Sequence, residues 1–341
     1  MGKRPVNKTK TKEYLYRTGG VLLIPAVCFA VMSAACLLSG TKLFTGESTV
    51  RLYFRGLAYV LLLSYGVSVN MHTGRFDFSV GATMLLSGVA SAQIAHAYSL
   101  GPAAMIIISA ILGGMIGTVT GTLYVALRLP PMIIGLGMTL VLEGITAIIT
   151  DGCKPVGFGT DASYYRFAVN IPAMLILTAA AFLFMLFLFR FTSFGYDYRA
   201  LVSGQKIAVS AGVNEKSNAV VCYLVAGILL GAAGALSICS TNGITPTINF
   251  SSIGSMFACF LPLFFSDFIV RFTDKQLAVL AGCAAYEFIQ VGFGQISFAK
   301  ASFTADVYRV VEAGILVLFL IYLSNESKLA GLFRRPERKK A

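Results

Sequence analysis

Runs of roughly 20 uninterrupted apolar residues recur along the whole chain, separated by short polar breaks. That is the length a helix needs to cross a bilayer. The spacing predicts about ten transmembrane helices, over 19–39, 52–70, 77–98, 101–127, 131–150, 171–191, 218–241, 253–270, 276–296 and 306–323. The first run follows a basic stretch, as a signal peptide would. It is longer than an h-region and has no A-x-A cleavage site, so it reads as a retained span. Two polar segments are longer than a turn, about 151–170 and about 192–217, and neither is large enough to be a domain. Residues 1–341 are therefore expected to form a single transmembrane domain. Its appendages are a basic tail at 1–18, a cytoplasmic loop at 192–217 and a second basic tail at 324–341.

Composition makes the fold class explicit. Of 341 residues, 57% are hydrophobic and 12% charged, and the mean hydropathy is +0.78; a soluble domain carries about twice that charged fraction. The expectation is an all-α polytopic membrane protein. The net charge of +12 raises nucleic acid as a partner, but the distribution argues against it. Lys3, Arg4, Lys8, Lys10, Lys12 and Arg17 precede the first span, and Lys328, Arg334, Arg335, Arg338, Lys339 and Lys340 follow the last. Clusters beside spans set topology and meet lipid headgroups. With ten spans and cytoplasmic N- and C-termini, Arg75, Arg128, Arg190, Arg199, Lys206, Lys216, Arg271 and Lys275 also fall inside. Only Lys42, Arg51, Arg55, Lys154, Arg166, Lys300 and Arg309 are left outside. Seven cysteines are present, six of them in apolar runs and none in a C-x-x-C pair, so they read as small apolar residues.

Within the spans, Gly113, Gly117 and Gly121 repeat every four residues and lie along one helix face. Gly227, Gly231 and Gly234 form a similar stripe in the seventh span. Small residues carry helix packing in lipid, where hydrophobic drive between helices is weak. Pro130-Pro131 marks a helix start, and Pro262 inside the eighth span predicts a kink braced by neighbours. No phosphate-binding G-x-x-x-x-G-K-[S/T] occurs, and His72 and His96 are too few and too far apart for a metal site. No catalytic constellation, metal site or cofactor is expected in this chain. Of the acidic residues, Glu143 and Glu287 lie deep in their spans, where a carboxylate serves either as a structural hydrogen-bond or salt-bridge partner or as a proton relay. In the cytoplasmic loop, SGQKIAVSAG (203–212) reads as a short helix, capped by Ser203 and ended at Gly212. It either docks in a groove of another protein or lies on the membrane surface.

Three segments, in order, carry a resemblance. TGRFDFSVGA (73–82) resembles the GG-[IV]-D-L-S-V-G signature of permease subunits in ribose-type ABC importers, with Arg75 in place of a glycine and Phe78 in place of leucine. LPPMIIGLGMTLVLEGITAIITDGCKPV (129–156) resembles that family's P-x-F-I-x-T-L-G stretch, its following span and the N/D-G-x-P loop. FGYDYRALVSGQKIAVSAGV (194–213) resembles its cytoplasmic coupling segment, with Gly204, Gln205, Ala208 and Gly212 at matching positions. The chain departs from the family late, where LPLFFSDFIVRFTDKQ (261–276) stands in place of a glycine-rich stretch.

The resemblance implies a membrane permease subunit of an ATP-driven importer in a bacterial cell membrane, for a small polar solute such as a sugar or nucleoside. Its partners would be cytoplasmic ATPase subunits docking near Gly204, Gln205, Ala208 and Gly212. A second permease copy or paralogue and an extracellular or periplasmic binding protein would complete it. Asn70, Phe76, Asp77, Ser79 and Asn249 are the candidate pathway residues, with Asp77 expected to cap the third span. Two alternatives stay open on the residues alone: a secondary transporter using Glu143 and Glu287 as proton relays, and a non-transporting regulatory subunit.

Overall fold

The computed structural model describes residues 8–158 and 161–299, together with 310, 313, 314 and 317. The tenth span expected over 306–323 lies almost wholly outside the described residues, as does the tail 324–341. Among the described residues up to 299, eleven α-helices follow one another: α1 Lys8–Leu38, α2 Glu47–Met71, α3 Val80–Ala97, α4 Pro102–Leu127, α5 Pro131–Ile149, α6 Ser163–Ala168, α7 Ile171–Phe191, α8 Ser193–Ser210, α9 Glu215–Thr241, α10 Phe260–Ile269 and α11 Lys275–Ala299. A 3₁₀ segment, Ser251–Cys259, leads into α10. Among the described residues nine helical stretches are long and apolar enough to cross a membrane. Each coincides with a predicted span to within a few residues.

The polar breaks end helices for identifiable reasons. Pro131 opens α5 at a position where its missing N–H is not needed. Asn214 accepts from the Ser217 N–H at 3.1 Å and starts α9. Arg128 closes α4 in a left-handed conformation at φ 55°. In the segment 151–170, β1 (Val156–Gly157) pairs antiparallel with β2 (Gly243–Ile244), Val156 opposite Ile244. This clasp ties that loop to the exit of α9.

Two local expectations change. The irregularity in the eighth span is not a proline kink: Pro262 sits in the first turn of α10, where no backbone bond is lost, and the 3₁₀ segment ahead of it supplies the departure from α-geometry. The loop helix is also longer than the 203–212 read from the sequence. It starts at Ser193, with the Thr192 hydroxyl accepting from the Gly195 N–H at 3.3 Å, and is jointed at Gly204, which is extended at φ 175° and ψ 91°.

At the centre, α9 packs against α2, α3 and α4, while α1 lies at the edge against α11. The closest approach is between α4 and α9. A Cβ on Gly113 would meet Gly231 Cα at 2.8 Å, and one on Gly117 would meet Gly227 Cα at 3.2 Å, so these two glycine pairs lie directly against each other, whereas Gly234 abuts the Met84 backbone of α3. Ser109 adds a hydrogen bond across this contact, its hydroxyl donating to Gly231 O at 2.7 Å. Gly121, one turn on, faces the Tyr223 side chain instead.

Candidate functional site

The chain breaks twice at helix starts that meet each other. The first break joins α2 to α3. Asp77 accepts from the Ser79 N–H at 2.8 Å and from the Ser79 hydroxyl at 2.9 Å, an Asx-type turn that sets the backbone for α3. Both side chains are buried. Burial pushes the Asp77 carboxyl above the usual carboxylate range, against the two opposing bonds from Ser79. From α5, Thr139 shares its hydroxyl between Gly135 O at 2.8 Å and Phe78 O at 3.1 Å. Gly135 is required here, because a Cβ would sit 2.6 Å from Asp77 Oδ1 and from Phe78 N.

The second break precedes the 3₁₀ segment. Asn249 (φ 67°) and Phe250 (φ 63°) are both left-handed, a costly conformation for residues with a Cβ. A buried carboxylate holds them. Glu143 of α5 accepts from Phe250 N at 2.9 Å, from Ser252 N at 3.0 Å and from Ser252 Oγ at 2.6 Å. It thereby satisfies N–H groups that open the 3₁₀ segment and have no partner within it. Of the two roles left open for Glu143, this geometry fills the structural one. The breaks touch: a Cβ on Gly81, in the first turn of α3, would collide with Ser252 O.

Around this crossing lie three cavities. The largest, about 720 Å³, opens between α2 and α11 and is lined by Thr45, Thr49, Arg55, Tyr59, Tyr286, Glu287, Gln290 and Gln295, among others. Glu287 is 4% exposed, has Arg55 as its cationic neighbour, and rests against Gly56, where a Cβ would lie 2.6 Å from its carboxyl carbon. A second cavity, about 150 Å³, sits at the crossing itself and is rich in hydroxyls from Ser237, Thr245, Thr247, Ser251, Ser252 and Ser255. Tyr59 lines both cavities. The third, about 10 Å³, is bounded by Asn70, Arg75, Phe76, Asp77 and Met256, barely the volume of one water molecule.

Of the pathway residues named from sequence, Asn70, Phe76 and Asp77 thus surround one near-closed void. Ser79 is turned into the α3 start, and Asn249 lies in the strap before the 3₁₀ segment. The residues expected to couple to an ATPase gather on α8 and in the turn that follows it. Gly204 forms its joint, and Gln205 donates to Glu215 Oε1 at 2.6 Å. Ala208 is buried beside a fully presented Ile207, and Gly212 (φ 95°) turns the chain toward α9. Tyr59, Gly135, Thr139 and Glu215 escaped the sequence reading. Each acts through a contact with another helix, and a lone residue carries no trace of such a contact.

Residues 50–320 match the family described as "Branched-chain amino acid transport system / permease component". Among curated proteins, the chain is 27% identical over 220 residues to the D-allose transport system permease protein AlsC of Escherichia coli (strain K12), covering 64% of this chain and 66% of that protein. It is 30% identical over 192 residues to the ribose import permease protein RbsC of Bacillus subtilis (strain 168), covering 54% and 59%. It is 24% identical over 261 residues to the fructose import permease protein FrcC of Rhizobium meliloti, covering 73% and 72%. The chain spans two thirds or less of the allose and ribose permeases' own lengths.

Proposed function

The chain belongs to the family of branched-chain amino acid transport system permease components, and on that premise we propose that it is the membrane subunit of an ATP-driven importer for a monosaccharide, seated in a bacterial inner membrane. ATP hydrolysis falls to partner subunits, consistent with the lack of a phosphate-binding loop. The family title names amino acids, whereas the allose, ribose and fructose relatives are named for sugars. The cavity between α2 and α11 supplies groups that suit a sugar alongside its Arg55 and Glu287. Tyr59 and Tyr286 offer ring faces, and Gln290, Gln295, Thr45 and Thr49 offer neutral hydrogen-bonding groups.

One observation carries the reading: an arginine and a glutamate, Arg55 and Glu287, line a roomy cavity within otherwise apolar spans. Ionisable groups at that depth are costly unless they face a polar interior. A solute would pass from this cavity by Tyr59 to the hydroxyl-lined crossing, then meet the seal around Asn70, Phe76 and Asp77. Ser79 and Asn249 hold the two helix starts that shape the crossing. The ATPase subunits dock on the second leg of α8, around Gly204, Gln205, Ala208 and Gly212. A binding protein delivers the sugar from outside, and a second permease, identical or paralogous, completes the pathway.

The test is co-purification of the chain, expressed in its own cell, with ABC-type ATPase subunits. The ATPase should be retained by the unaltered chain and lost from Ile207→Arg, which puts a charge on the exposed apolar residue of the docking leg. Equal retention by both would contradict the docking assignment.

A further inference from the structure

Arg75 is the residue by which the α2–α3 break departs from the signature it resembles, and its surroundings give it a role. The side chain is buried, 4% exposed. Its guanidinium lies over the Tyr124 ring at 5.8 Å and donates to Thr73 Oγ1 at 3.1 Å. Its other terminal nitrogen is 3.8 Å from Glu215 Oε1. Among the described residues Glu215 is the acidic partner within 4.0 Å. The same Glu215 oxygen accepts from Gln205 at 2.6 Å. Gln205 is the first residue past the Gly204 joint, and Glu215 is the first residue of α9.

The two legs of α8 are held differently. The first is fixed to the membrane domain: Tyr198 donates to Val69 O, near the end of α2, at 3.0 Å, and Gly195 abuts the Phe189 backbone. The second leg, beyond Gly204, meets the rest of the protein through buried Ala208 and through Gln205. A displacement of that leg acts on Glu215 by way of Gln205. Moving Glu215 strips a buried cation of its counter-charge, which is unfavourable enough to drag the arginine or its surroundings along. Arg75 is in turn part of the seal: its N–H donates to Asn70 O at 3.0 Å, and it bounds the void shared with Phe76 and Asp77.

Resting on the reading of this second leg as the ATPase dock, we infer that Gln205, Glu215 and Arg75 form a relay that ties the position of the docking leg to the closure of the α2–α3 break, with Glu215 and Arg75 as positioning residues. Two partly or fully exposed positions test it without threatening the fold. Glu215→Gln keeps an oxygen that can accept from Gln205 but removes the charge facing Arg75. Gln205→Ala removes the donor and leaves the ion pair. The chain, its ATPase and its binding protein are reconstituted in proteoliposomes, with D-ribose, D-allose and D-fructose as probes.

The relay predicts that Glu215→Gln keeps the ATPase bound and hydrolyses ATP at the unaltered rate, and that in both variants sugar moved per ATP hydrolysed falls about tenfold, a typical coupling magnitude. Links in series are non-additive, so the double variant should transport no worse than either single one. An unchanged ratio in both singles, or a double loss equal to the product of the singles, overturns the relay. Failure of the unaltered chain to hold the ATPase removes the docking reading, and the relay with it.

Discussion

Glu143 and Glu287 are the same residue type at similar depth, and their surroundings divide them. Glu143 takes three hydrogen bonds from two residues of a strained turn, so it serves structure. Replacing it with alanine strands those donors and frees the left-handed pair Asn249–Phe250. The expected loss is about 3 kcal/mol, read as a clear drop in the detergent melting temperature, with Glu143→Gln losing less because an amide oxygen still accepts. Glu287 lines the open cavity and holds no such turn. Glu287→Gln should leave the melting temperature nearly unchanged while raising the sugar concentration for half-maximal uptake, whereas Gly56→Leu, crowding the carboxylate, should do both kinds of harm. Sequence reading found both glutamates by depth alone. It could not separate them, because Phe250 and Ser252 reach Glu143 only through the fold. Arg75 stood as a departure without a reason for the same cause: its partner Glu215 opens a distant helix.

At the scale of elements, hydropathy was a sufficient guide. The nine spans found among the described residues lie where apolar run lengths put them, since run length against bilayer thickness is a local property. In the α4–α9 contact Gly113 and Gly117 meet Gly231 and Gly227, while Gly234 of the same sequence stripe turns to α3. Less was legible where geometry depends on neighbours. The eighth span divides into a 3₁₀ segment and α10, because Glu143 and Gly81 shape its start, and α8 runs on past the expected loop helix to a joint at Gly204. The α4–α9 contact makes a sharp contrast available. Gly117→Val places branches against the Tyr223 and Gly227 backbone and should cost about 1–3 kcal/mol or more, visible as lost monodisperse protein on size exclusion. Gly144→Val, with open space at its Cβ position, should elute like the unaltered chain.

For the whole molecule, the arrangement is a set of polar cavities inside an apolar bundle. It has a large cavity between α2 and α11, hydroxyls at the crossing of two helix starts, and a near-closed void beside the jointed α8. An importer driven by ATP needs a polar chamber, a seal and a surface where a motor can act, and on the proposed reading these would stand in that order. A proton-driven carrier would instead need its buried carboxylates free to exchange protons; Glu143 is committed to three donors, which leaves Glu287 in the open cavity as the carboxylate for that role. The most direct measurement follows sugar into proteoliposomes holding the chain, its ATPase and its binding protein, with D-ribose, D-allose and D-fructose as probes and leucine as the control. The account predicts uptake of at least one sugar that requires ATP on the ATPase side, is abolished by a catalytically dead ATPase and is indifferent to a collapsed pH gradient. Uptake that survives without ATP and vanishes with the pH gradient, or that accepts leucine and none of the sugars, would contradict it.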